Sequence, residues 1–334
     1  MAGQRAEKVS RGKSVKTERY SLFLGDSCSV LPQLPAETVG LILYSPPFAQ
    51  LFSYSDDPRD LSNSKDYEEF FEHYGYVVRE TERLLMPGRV AAAHCMDLPT
   101  FKVNGEEIGL KDFPGDIIRC HEAAGFVYHS RFVIWKDPLV AATRTKAVGL
   151  AHQQLVKDSA LCRTGIPDYV LAFRKKGENP APIPHPDGLT EYHGARAVPG
   201  TLDRYLGHKD QHTNKRSHWI WQRYASPVWD DIRQTKVLPF KGGRDPDDVR
   251  HICPLQLDVV QRCLELWSRP GDVVLDPFSG VGSTVYMAVR SGRRGLGVEL
   301  KPSYHRMAVR NLEALDRKMR TGFRLGKASG EEEE

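Results

Sequence analysis

The sequence predicts an α/β fold on a mostly parallel sheet, and three features of it carry that prediction. Strand-like apolar runs alternate with segments of helical period. One strand ends in an acid and runs into a glycine turn that opens a helix, and another ends in a rigid double proline. At 334 residues the chain is long enough for one large or two moderate domains, at roughly 150 residues per domain.

The elements follow in order. Residues 1–19 carry six Lys/Arg and almost no large apolar groups, so a basic arm without fixed structure is expected before Tyr20. Strands are expected over Tyr20–Leu24, Leu41–Tyr44, Arg89–Ala93, Arg131–Trp135 and Tyr169–Phe173. A helix is expected over Tyr67–Leu85, where Phe70, Phe71, Tyr74, Val77, Val78, Leu84 and Leu85 recur near helical spacing. After Lys176 the pattern dissolves into alternate prolines (Pro180, Pro182, Pro184, Pro186) and a His/Arg/Gln-rich stretch to about Val249, read as an insert or small subdomain. Leu257, Val260, Leu264 and Trp267 then mark one face of a helix. A strand Val273–Leu275, a glycine turn, a helix to about Arg290, a strand Leu296–Val298 and a last helix from Ser303 complete the pattern. The resulting division is 1–19, 20–176, 177–249, 250–316 and a charged tail over 317–334, with no internal repeat.

Composition removes several classes. Hydrophobic residues at 40% and charged residues at 27% are those of an ordinary globular chain, and no apolar run approaches the ~18 residues of a membrane span. The polar, basic N-terminus has no apolar core of a secretory signal, so a cytoplasmic protein is expected. Six cysteines contain no C-x-x-C pair and suggest neither a disulfide framework nor a metal site. Cys95 is expected to be a strand-end thiol. The net charge of +4 is small but uneven: residues 134–176 hold eight Lys/Arg against three Asp, and residues 193–223 hold six against two, with four His and two Trp between them.

Two motifs carry chemistry. In the first, strand Val273–Leu275 leads to Asp276-Pro277-Phe278-Ser279-Gly280-Val281-Gly282-Ser283-Thr284. Glycines there admit close backbone approach, and the free N–H groups of a helix start favour an anion. Downstream, Glu299 closes the next strand, where a carboxylate can accept from both hydroxyls of a ribose. The missing Lys excludes a phosphate-binding P-loop, and the incomplete glycine spacing disfavours a dinucleotide site; a tight turn without ligand is the bland alternative. The second motif is Ser45-Pro46-Pro47-Phe48 after Leu41–Tyr44. Its prolines make a rigid rim, while a hydroxyl, a proline carbonyl and an aromatic face suit an exocyclic amine on a base drawn out of its stack. A proline-rich strand exit with Phe48 in the core is the alternative.

SPPF, DPFSGVGST and GVELKPSY together resemble the S-adenosylmethionine-dependent DNA amino-methyltransferases, which make N4-methylcytosine or N6-methyladenine. The base motif precedes the cofactor motif, similar to the β-class permutation of that family. Gly25-Asp26-Ser27, HCMDLP, IWKDP and HICPLQLD are similar to phage and prophage methylases, so the resemblance spans about Tyr20 to Leu315. It implies a Rossmann-like methyltransferase fold with a mostly parallel seven-stranded sheet and a target-recognition insert. It implies S-adenosylmethionine as cofactor, held by Asp276, Pro277, Phe278, Gly280, Gly282 and Glu299, with Asp26, Thr284, Pro254 and Leu255 as further contacts. Ser45 and the Pro46 carbonyl would then accept from the target amine, Pro47 would stiffen the loop and Phe48 would stack on the flipped base.

Within the family, Ser at the first motif position goes with cytosine, and Asp or Asn more often with adenine, so N4-cytosine is favoured over N6-adenine. The sequence departs from the cytosine pattern at Tyr44, where a small Thr is usual; Tyr44 either lines the pocket or packs beneath the loop. An RNA methyltransferase and a catalytically silent DNA-binding protein are the more distant alternatives. Double-stranded DNA is the expected partner, with no metal and either a monomer or a dimer. Lys136, Arg144, Lys146, Lys157 and Arg163, then Arg204, Lys215 and Arg216 in the insert, are expected on its phosphates or bases. Trp221 and Trp229 are expected as core anchors.

Overall fold

The computed structural model describes residues 14–48, 57, 59–100, 109–140, 150, 152–240 and 254–328. The first half contains β1 (Val15–Lys16), β2 (Tyr20–Leu24), α1 (Ser27–Val30), β3 (Val39–Tyr44), α2 (Tyr67–Leu84), β4 (Leu85–Met96), β5 (Leu98–Thr100), β6 (Gly109–Lys111) and α3 (Phe113–Ala123). There follow β7 (Val127–Ile134), α4 (His152–Lys157), β8 (Asp168–Arg174), α5 (Lys215–Tyr224) and β9 (Val228–Trp229). The chain closes with α6 (Leu257–Trp267), β10 (Val273–Asp276), α7 (Ser283–Arg290), β11 (Arg294–Glu299) and α8 (Pro302–Ala328).

The main sheet runs β1-β2-β11-β10-β3-β4-β8-β7-β9. Strands β2, β11, β10, β3 and β4 are parallel neighbours, and β8 lies antiparallel between β4 and β7. Nine strands stand where seven were expected, because two two-residue strands, β1 and β9, pair onto the edges of the seven longer ones. The pairing β3–β10 joins Leu41 to Val274 and so unites the two halves of the chain that the insert separates.

Alternation in β3 explains the layers. Ile42 and Tyr44 face α2 and α3, packing with Phe70, Tyr74, Val77, Phe113 and Ile117. Leu41 and Leu43 face the other layer, with Leu257, Val260 and Leu264 of α6 and Met287 and Ala288 of α7. A strand covered on both faces reads as an unbroken apolar run, and all six residues of β3 are buried. The amphipathic α8 lays Ala308, Leu312 and Leu315 against Tyr20 and Leu22 of β2. Side-chain oxygens of Asp66, Asp112 and Asn214 cap α2, α3 and α5, accepting from the N–H groups of Glu69, Gly115 and Ser217 at 2.9, 2.9 and 3.1 Å.

Two expectations are corrected. The arm is not without structure to Tyr20: Val15 and Lys16 form an antiparallel edge beside β2, covering backbone groups that would otherwise stay open. The tail does not begin at 317, since α8 continues to Ala328. The insert joins the sheet, where Val228 and Trp229 pair beside β7. At its start, buried Arg89 pairs with Asp272 and donates to the carbonyls of Gly40 and Ala181, both at 2.8 Å. Residues 1–13, 241–253 and 329–334 lie outside the described residues. No helix among the described residues is long and apolar enough to cross a membrane.

Candidate active site at the carboxyl edge of the sheet

Parallel strands bring their carboxyl ends to one edge, and there the structure opens a cavity of about 830 Å³. One wall comes from the turns after β10 and β11. Asp276 ends β10 and accepts from the Phe278 N–H at 2.9 Å. Glu299 ends β11, its carboxylate accepting from the N–H groups of Gly280 at 2.7 Å and Lys301 at 2.8 Å. Gly25 donates to the Glu299 carbonyl at 2.9 Å and Ser27 donates to the Pro277 carbonyl, which ties the end of β2 to this wall. Asp26, whose carboxylate caps α1 through the Cys28 N–H at 3.1 Å, also lines the cavity, as do Pro254, Leu255, Pro277 and Phe278.

Burial sets the electrostatics of this wall. It pushes the Asp276 carboxyl up to about 7, against the opposing pull of the Phe278 N–H and the Thr284 hydroxyl. It raises Glu299 to about 7 as well, against the N–H groups of Lys301 and Gly280. Four polar atoms of cavity-lining residues have no hydrogen-bond partner among the described residues: the hydroxyls of Ser279 and Ser283, the side-chain oxygen of Gln256 and His94 Nε2. A ligand with several donors, such as an amino acid joined to a nucleoside, fits that inventory.

The opposite wall is the loop after β3: Ser45, Pro46, Pro47 and Phe48 all line the cavity, and Phe48 also packs on Phe113 with ring centroids 6.3 Å apart. Tyr44 does not. It is fully buried beneath the loop, its hydroxyl 2.7 Å from that of Tyr74 and 3.1 Å from His121 Nε2.

Some residues stand elsewhere than expected. Gly282 and Thr284 are not on the cavity surface: Gly282 precedes α7 at φ 86°, where a Cβ would lie 3.1 Å from that of Ala308, and Thr284 is buried behind Asp276. Lys136 is not on an outer basic face but in the cavity, paired with Asp168. Arg204 and Lys215 are exposed and Arg216 is held by Asp203 at 2.7 Å, while Arg144 and Lys146 lie outside the described residues. Trp229 is 1% exposed in the core, but Trp221 is 58% exposed, because α5 turns Ser217, Ile220 and Tyr224 inward and leaves Trp221 on the other side. Cys95 is buried in β4, and among the described residues no cluster suited to a metal is found. Sequence reasoning missed His94 and Asp168 as site residues. Their signals were position, at strand ends that converge on one edge, and for His94 its place in the HCMDLP segment.

The family profile described as DNA methylase, of the N6/N4 methyltransferases, matches residues 39–310. The chain belongs to the DNA methylase family. Among the relatives of this methylase is the type II methyltransferase M.XycI of Xanthomonas campestris pv. cyanopsidis, 32% identical over 92% of both chains. The DNA adenine methyltransferase YhdJ of Escherichia coli is 23% identical over 89% of this chain and 83% of its own. A DNA modification methylase of Thermus thermophilus, TTHA0409, superposes with a TM-score of 0.57 at 26% identity, covering 87% of this methylase and 92% of that chain. The same protein complexed with S-adenosyl-L-methionine gives 0.58 at 24% identity, over 89% and 95%.

Proposed function

We propose that this DNA methylase transfers a methyl group from S-adenosylmethionine to the exocyclic amine of a base flipped out of duplex DNA, N4 of cytosine. The observation that carries the reading is one cavity with two unlike walls: buried carboxylates on one side, a rigid serine-proline-proline-phenylalanine rim on the other. When bound, S-adenosylmethionine supplies an electrophilic methyl carbon. Asp276 and Glu299 hold its polar groups, with Asp26, Pro254, Leu255, Pro277, Phe278 and Gly280 around it and Gly282 and Thr284 shaping the turn from behind. Ser45 and the Pro46 carbonyl accept from the amine and aim its nitrogen, Pro47 keeps the rim rigid and Phe48 offers its ring to the base. Catalysis is then positioning, together with relief of the charge that develops on the nitrogen.

Cytosine is favoured by the hydroxyl at Ser45, where an acid or amide would suit adenine. The relative YhdJ, described as an adenine methyltransferase, supports N6-adenine as the second reading. Exposed Arg204 and Lys215, with Arg216, and Lys157 on α4 are assigned to DNA phosphates; Lys136 is assigned to the base site. The division at the insert, residues 177–249, is kept as the target-reading segment between the two catalytic halves.

Incubation with S-adenosylmethionine and unmodified DNA, followed by mass spectrometry of the nucleosides, tests the reading. N4-methylcytosine is expected, reduced on the order of 10²-fold in rate by Ser45→Ala and strongly by Asp276→Ala. N6-methyladenine would overturn the choice of base, and no methylated nucleoside despite cofactor binding would overturn the substrate.

A further inference from the structure

A chain of four polar side chains runs away from the rim serine. The Ser45 hydroxyl donates to the His94 carbonyl at 3.1 Å and lies 3.3 Å from His94 Nδ1. On the far side of the ring, His94 Nε2 is 3.2 Å from Asp168 Oδ2, and the other oxygen of that carboxylate binds Lys136. All four side chains line the cavity, yet they come from the end of β3, from β4, from the first residue of β8 and from just beyond β7. His94 and Asp168 are buried.

We infer that His94 and Asp168 are positioning residues: His94 orients Ser45 and receives, through it, the proton released by methyl transfer, and Asp168 holds the imidazole. This rests on the amine-methylation reading above. The ring orientation follows from its neighbours. A carboxylate at ion-pair distance from Nε2 favours the hydrogen on that nitrogen, which leaves the Nδ1 lone pair to accept from the Ser45 hydroxyl once it turns from the His94 carbonyl. Burial works against the Asp168 carboxylate, but Lys136 and His94 bring its pKa down to about 2, so it stays ionised. The charged groups facing His94 are Asp168 from β8 and Lys136 after β7; Asp97, beyond the end of its own strand, accepts from the Tyr169 hydroxyl at 3.1 Å. Across the cavity stands Asp276.

The accounting closes within the site. The amine nitrogen forms its bond to the methyl carbon while the carbon–sulfur pair leaves with sulfur, and the nitrogen becomes cationic. One N–H proton passes to Ser45 Oγ as the Ser45 proton passes to His94 Nδ1. A neutral methylated amine remains beside an imidazolium held by Asp168, and that proton later returns to water.

His94→Asn and Asp168→Asn, each in the full chain, test this in single-turnover methylation, with cofactor affinity measured alongside. Cofactor Kd within about twofold of the wild type is expected, since neither group is needed on the carboxylate wall. In His94→Asn the single-turnover rate should drop on the order of 10²-fold, with the KM for DNA little changed. In Asp168→Asn the rate should fall as well, again with KM little changed, because the imidazolium loses its partner. A His94→Asn enzyme with the wild-type rate overturns the relay while leaving the methylation reading intact. A wild-type protein that methylates no DNA overturns that reading and the relay together. A 15N spectrum with the hydrogen on Nδ1 of neutral His94 overturns the relay alone.

Discussion

Asp276 and Glu299 are both buried carboxyls that burial raises to about 7, so near neutral pH each is about half protonated before any ligand arrives. S-adenosylmethionine brings positive charge and ribose hydroxyl donors, and both favour the ionised forms. The sign follows: binding expels protons, affinity rises as pH rises through about 7 and levels off above it, and below it the protonated acids resist binding. Calorimetry in buffers of different ionisation enthalpy should register release of roughly one proton at pH 7. Uptake of protons, or none exchanged, would contradict the assignment of these two acids. At this scale the motifs were legible, because Asp276, Glu299 and the Ser45 loop each sit in a local pattern of strand end and turn. His94 and Asp168 were not, nor was the place of Lys136 beside them, since only the convergence of β4, β7 and β8 makes them neighbours, and no spacing along the chain records it.

Two glycines of one turn do different jobs. Gly280, at φ 51°, lines the cavity, and a Cβ there would meet no protein atom within 4 Å. Gly282, at φ 86°, is pressed against Ala308 of α8. Gly282→Ala should therefore cost about 1–3 kcal/mol of stability through backbone strain and crowding, read as a lower urea midpoint. Gly280→Ala should cost less stability, about 1–2 kcal/mol, and weaken cofactor binding instead, because its methyl enters ligand space. Equal effects of the two changes on both quantities would refute this division. Elements with a clear period, α2 and α6, were readable from sequence, as were the apolar strands to within a few residues. Helix α5 was not, because Trp219, Ile220 and Trp221 run together and hide its inward face of Ser217, Ile220 and Tyr224. Asn214, three residues ahead of Ser217, was the overlooked capping signal.

At the scale of the molecule, a buried guanidinium on α6 ties the insert to the core, beside the β7–β9 pairing and the Arg89 bond to Ala181. Arg262 of α6 bonds Asp231 at 2.6 Å, the Tyr192 hydroxyl at 2.8 Å and the His193 carbonyl at 2.7 Å, and lies against the ring of Trp229. Arg262→Met would leave Asp231 buried with less compensation, so a loss of about 3–5 kcal/mol is expected in urea denaturation. Limited proteolysis should then cut first within residues 190–235; unchanged stability and an unchanged cleavage pattern would show that the anchor lies elsewhere. The fold class was legible because parallel α/β alternation is a property of the whole chain. The seating of the insert was not, because it depends on contacts such as Arg89 with Ala181 and Arg262 with Asp231, which join positions far apart in sequence. The β3–β10 pairing has a further consequence, for synthesis. While the ribosome is still making the insert, β3 has β4 on one side and nothing on the other, and β2 still waits for β11. A buried, wholly apolar strand thus spends much of translation with an open edge, able to join a neighbouring nascent chain. The order that brings the base loop out first therefore keeps this edge open until the last strands emerge.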